Sequence, residues 1–95
     1  MIIKKKISQE RWQRFSKKEQ MMHIKAEIAR AKNWQNQDKS KFLSALERTL
    51  ELIDSSLDDN RWQGQRSMLF WLREQLSKFY LGRETHGLEV LCAGL

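Results

Sequence analysis

The chain has 95 residues and a mass of 11.4 kDa, which leaves room for one modest hydrophobic core and excludes two independent ones. Apolar residues make up 40% and charged residues 32%, too apolar for outright disorder, while the longest apolar run, Met68 to Leu72, is too short to cross a bilayer. The formal net charge is +6, and a single cysteine, Cys92, excludes both an internal disulfide and a zinc cage of several thiolates.

Residues 1–95 are expected to form one domain, with residues 1–8 as a basic N-terminal arm. Residues 1–7 have no apolar core long enough for a secretory signal, so the expected location is the cytoplasm. Ile7 to Phe15 reads as a short helix. Ser16-Lys17-Lys18-Glu19 is a capping box, in which the hydroxyl and the carboxylate satisfy backbone donors left free in a first turn, and it starts a helix at Lys17. Met21, Ile24, Ile28 and Ala31 then recur at steps of three and four and mark a core stripe, with Met22, Ala29 and Trp34 as flanks. The pattern fades over residues 33–37, and Asp38 stands as the N-cap of the next helix.

That helix carries the clearest periodicity: Leu43, Leu46, Leu50, Ile53 and Leu57 alternate steps of three and four beside Phe42. Asp58-Asp59-Asn60 is a polar turn and Gly64 an interruption, after which a third long helix runs from about Gln65 to Leu81. Gly82 is placed to end it, since a left-handed cap residue costs glycine little. Residues 83–87 read as a turn and 88–95 as a short helix or a flexible tail. With no proline and no sustained alternation of apolar and polar residues, the fold class is all-α, a small antiparallel bundle of three long helices plus a short N-terminal one.

On the third long helix Met68, Leu69, Leu72, Leu76, Phe79 and Tyr80 share a face about 120° wide, whereas Phe70, Trp71 and Leu81 point elsewhere. Large apolar groups off the core stripe mark either a surface covered by the N-terminal helix and the C-terminal tail or an interface with a partner or a second copy.

The charge is unevenly spread. Residues 1–41 hold 12 Lys/Arg against 4 Asp/Glu, a net of +8, and residues 42–95 hold 6 against 8, a net of −2. Lys4, Lys5, Lys6, Arg11, Arg14, Lys17 and Lys18 lie among a single acid, Glu10, and Lys17 and Lys18 oppose the helix dipole at a first turn, so an anionic partner is expected. Trp12 and Phe15 interleave with these cations, the pairing of phosphate contacts and stacking faces that single-stranded nucleic-acid sites use. Arg61, Trp62 and Arg66 repeat the arrangement, because Arg11-Trp12-Gln13 and Arg61-Trp62-Gln63 each precede a further Arg and Ser. The competing reading makes both tryptophans apolar lids over the ends of the bundle.

Chemistry is sparse. Glu19, His23 and Glu27 share one helical face, and Glu47 and Glu51 could approach it, but the Glu-x-x-His spacing of carboxylate-bridged metal bundles is absent, so no metal or other cofactor is expected. His86 and Cys92 have no third group to orient a base. Arg83-Glu84-Thr85-His86 departs from the helical HEPN nucleases, whose signature places a longer gap between Arg and His than the two residues found here. No phosphate loop or nucleophile elbow occurs, and no small-molecule substrate or catalysis is expected.

The runs Glu10-Arg11-Trp12 with Phe15-Ser16 and Glu19-Gln20, Ala45 to Arg48 with Leu50 to Asp54, and Trp71 to Glu74 with Phe79-Tyr80 resemble a group of small bacterial helical proteins. The resemblance covers about residues 10–81 and implies a bacterial, helical, single-domain protein without assigning an activity. In shape alone the chain is also similar to the basic four-helix-bundle accessory proteins of diversity-generating retroelements, which implies oligomerisation and binding of a ribonucleoprotein. The expected function is that of a non-catalytic accessory protein binding nucleic acid or a ribonucleoprotein through its basic N-terminal part. The alternative is a protein–protein adaptor or homo-oligomeric scaffold working through Phe70, Trp71 and Leu81. An acidic-membrane binder is disfavoured because the cations and the broadest apolar face lie on different segments.

Overall fold

A computed structural model describes residues 8–83, 87, 88 and 91; Lys4, Lys5, Lys6, His86, Cys92 and most of the expected C-terminal element lie outside the described residues. The described elements are all helical: α1 (Gln9–Gln13), α2 (Lys17–Trp34), α3 (Lys39–Leu57), a 3-10 helix (Asn60–Gln65) and α4 (Arg66–Tyr80). No described helix is long and apolar enough to cross a membrane.

The local signals act where they were read. Ser16 Oγ accepts from the Glu19 N–H at 3.1 Å and Glu19 Oε1 accepts from the Ser16 N–H at 2.9 Å, completing the capping box of α2. The second of these bonds, with the Ser16 hydroxyl adding to it, holds the Glu19 carboxyl below its ordinary pKa. Asp38 caps α3 through the Lys41 N–H at 3.1 Å. Beyond α4, Gly82 takes φ +75°. The Arg83 N–H reaches the Lys78 carbonyl at 2.8 Å and the Gly82 N–H that of Phe79 at 3.1 Å, a Schellman closure. The segment around Gly64 is a 3-10 turn, and α4 starts without a side-chain cap at Gln65.

α3 is the central element, buried over much of its circumference, because Ala45, Thr49, Ser55 and Ser56 are small enough for neighbours to pack close. The Thr49 and Ser56 hydroxyls donate to the Ala45 and Leu52 carbonyls at 2.8 and 2.9 Å, which lets them be buried without an unmet donor. α1 is joined to α3 by Gln9 Nε2 donating to the Ser55 carbonyl at 2.8 Å. α4 is joined to it by Arg73 Nε on Asp54 Oδ1 at 2.8 Å and by the Tyr80 hydroxyl donating to Glu47 Oε1 at 2.6 Å; the latter bond raises the Tyr80 pKa. The core face of α4 is the expected one, with Leu69, Leu72, Leu76 and Phe79 buried and Met68 and Tyr80 half-buried. Leu88 and Leu91 also belong to the core, and the Leu88 N–H donates to Gln35 Oε1 at 3.1 Å.

Two stripes differ from the periodic reading. In α2, Gln20 is fully buried while Met21 is only half-buried, and in α3, Leu52 is buried while Leu43 and Leu57 are half-buried. A polar residue occupies the α2 core because its hydrogen bonds are met there.

Candidate nucleic-acid interface

The two Arg-Trp-Gln segments meet. Arg61 Nη2 donates to the Gln13 carbonyl at 3.0 Å, and Lys17 Nζ donates to Gln65 Oε1 and lies 5.0 Å from the Trp62 ring. Between them sits the Gln20 amide. Its Nε2 donates to the Trp12 carbonyl at 2.8 Å and to Asp59 Oδ2 at 3.3 Å, and its Oε1 accepts from Trp62 Nε1. Trp12 Nε1 in turn donates to Ser56 Oγ at 3.1 Å.

These contacts correct the expected role of the tryptophans. Trp12 is 1% and Trp62 3% exposed, so neither ring offers a face to a base; both are lids over one end of the helices, with their indole N–H groups satisfied internally. Arg61 is likewise taken up. Its Nε and Nη2 grip Asp59, at 3.1 Å to Oδ1 and 2.7 Å to Oδ2, and this bond, against the opposing effect of burial, holds the Asp59 carboxyl down at about 2. Arg66 donates to the Leu57 carbonyl at 2.7 Å and covers the Phe70 ring at 5.4 Å. The second cluster is therefore a clasp that ties the 3-10 helix to α1, α2 and α3.

Of the N-terminal cations, Arg11 and Lys18 are exposed, and neither makes an ion pair among the described residues. Arg14 pairs with Glu10 at 3.3 Å across an exposed helical turn, a contact worth only a few tenths of a kcal/mol. Phe15 is half-buried, with its ring 4.7 Å from His23 and 5.9 Å from Trp12.

A further row was missed in the sequence. Lys18, Lys25 and Lys32 recur at a spacing of seven along α2, with Met22 and Ala29 between them, and all five are exposed. On a helix they fall within about 80° of one another over roughly 21 Å, and no acidic residue shares the arc. The row is legible in the sequence as a heptad of lysines complementary to the core stripe, although the density of charge along the chain is higher over residues 4–18.

Phe70, Trp71 and Leu81 are 51%, 44% and 59% exposed, so the described residues leave about half of each open to solvent, Phe70 even with the Arg66 guanidinium over its ring. They do not form one continuous patch along α4: Phe70 and Leu81 share a direction but stand roughly 16 Å apart along the axis with Glu74 and Ser77 between, and Trp71 faces about 100° away. No group of three or more His, Cys, Asp or Glu among the described residues could hold a metal ion.

No protein-family model, curated protein or solved structure matches this chain.

Proposed function

We propose that the protein is a small, non-catalytic, basic accessory protein of the cytoplasm that binds nucleic acid, free or within a ribonucleoprotein, through the N-terminal half of an antiparallel helical bundle. The observation that carries this reading is the acid-free lysine row of α2, to which the same half of the chain adds the exposed Arg11 and Arg14. Five exposed cations on adjoining helices have no structural task comparable to that of Arg61, and cations free to move onto phosphates are what backbone binding needs. Lys4, Lys5 and Lys6 add to the same half of the chain.

Contacts of this kind position a protein without reading sequence, so affinity falls steeply with salt. Anisotropy of labelled single-stranded RNA and duplex DNA, titrated at two salt concentrations, tests the reading. Salt-sensitive binding is the expected result, and absence of binding at low salt overturns it.

A second reading rests on the exposed Phe70 and Trp71 of α4, which suit a contact with a second copy or another protein. Such a scaffold would use its positive charge for solubility.

A further inference from the structure

The aromatic rings beside the lysine row are taken up by the fold. Trp12 is buried, Phe15 is half-buried against His23 with the two rings 4.7 Å apart, and Trp34 is half-buried with the Lys41 ammonium 4.2 Å from its ring. Within residues 8–37 no Phe or Trp is exposed. Phe70 and Trp71, which are exposed, stand on α4, outside the basic half of the chain. A single-strand site couples its cations to aromatic faces on which unpaired bases stack, and this half of the molecule offers cations without such faces.

The cations form a fixed line. Lys18, Lys25 and Lys32 stand about 10.5 Å apart along the axis of α2, a helix closed at its start by the Ser16–Glu19 box and packed along α3. Met22 and Ala29 between them offer no hydrogen bond to a base edge, so the row reads phosphates alone. The nearby acids stand clear of it. Glu19 and Glu27 lie about 100° and 180° round the helix from the centre of the arc, and Glu19 is turned back into its capping box. Glu47 and Glu51 of α3 line a groove with Glu27, and Glu10 is paired with Arg14. Over α2 as a whole, five Lys/Arg face two acids.

Cations without a stacking partner favour the ligand with the densest phosphates. Over roughly 21 Å a duplex presents about 12 of them, held straight by its own stiffness, whereas a flexible single strand has to be ordered against the row. From this we infer that the lysine row docks on the phosphate backbone of a double-stranded nucleic acid. The inference rests on the nucleic-acid reading above and narrows it. Each phosphate contact releases about 0.9 counterion from a duplex and about 0.7 from a single strand. Three to five contacts therefore add a duplex preference of about four- to tenfold between about 1 M and about 0.1 M salt.

The test measures anisotropy of labelled DNA and RNA duplexes of about 20 base pairs and of an oligo-dT of about 40 nucleotides, which matches their phosphate number, with the whole chain at about 0.1 M salt. Tighter binding of a duplex by about four- to tenfold is the expected result, falling to about twofold when Lys18, Lys25 and Lys32 are changed to Ala. The tighter of the two duplexes identifies the source, B-form DNA or A-form RNA. Phe15→Leu, which keeps an apolar side chain but removes the ring, should leave all three affinities unchanged. Oligo-dT bound as tightly as the duplexes overturns the inference and leaves the nucleic-acid reading standing, whereas binding of none of the three at low salt overturns both. A duplex preference undiminished in the lysine variant overturns it as well. So does a loss of oligo-dT binding in Phe15→Leu with wild-type circular dichroism, since that loss reveals a stacking face.

Discussion

Gln20 accepts a hydrogen bond from the indole N–H of Trp62, 42 positions away, and with its own amide N–H holds both Asp59 and the Trp12 carbonyl. One buried amide thus joins α1, α2 and the 3-10 helix. Gln20→Leu keeps a similar volume but strands these partners, at about 1–3 kcal/mol for each buried group left unmet. We expect a drop of that order or larger in urea denaturation, against a change within about 0.5 kcal/mol for Lys18→Ala on the exposed face. Equal stability of wild type and Gln20→Leu would show that the amide network is dispensable.

Asp59 makes part of this junction pH-dependent. Its carboxyl is held at about 2 by the Arg61 guanidinium, below the ordinary 3.8, so the unfolded chain takes up the proton first as pH falls. The contribution is fully present above about pH 4 and is lost as the pH drops towards 2. Asp59→Asn should lower stability at pH 7 and flatten the acid limb of the stability profile between those values. An acid limb as steep in the variant as in the wild type would remove Asp59 from this role.

At the end of α4 the Gly82 φ of +75° carries a backbone cost for any L side chain, although an added Cβ would meet no atom within 4 Å. Gly82→Ala is therefore expected to cost about 1–2 kcal/mol through the backbone alone. D-alanine introduced at the same position by chemical synthesis should restore most of it. Thermal unfolding of the three forms reads the difference.

The lysine row predicts a salt effect without a stability effect. Changing Lys18, Lys25 and Lys32 to Ala should reduce the slope of log affinity against log salt by about two to three units, while circular dichroism and melting stay as in the wild type. An unchanged slope assigns the phosphate contacts to other cations.

Phe70→Asp separates the scaffold reading from the first. If Phe70 serves a self-contact, sedimentation shifts the protein from an oligomer to a monomer; if both proteins sediment as the same monomer, self-association through Phe70 is excluded.

The order of the helices, their caps and most core positions follow from the chain alone. Ser16 with Glu19, Asp38 and Gly82 act through partners within five residues, and Leu69, Leu72, Leu76 and Phe79 needed only the helical period to be placed. The excess of cations in the first 41 residues was equally plain, and so was the separation of Phe70 and Trp71 from the core stripe. Tertiary structure decided which polar and aromatic groups serve the fold. Trp12, Trp62 and Arg61 look like contact residues in the sequence; the two tryptophans become interior and Arg61, though exposed, is tied down, because Ser56, Gln20 and Asp59, distant in sequence or adjacent only through a turn, satisfy their donors. It also brought Glu27 and Arg30 of α2 and Arg48 of α3 to line one groove. Local signals depend on neighbours along the chain, whereas the cost of burying a polar group depends on partners that only folding brings within reach.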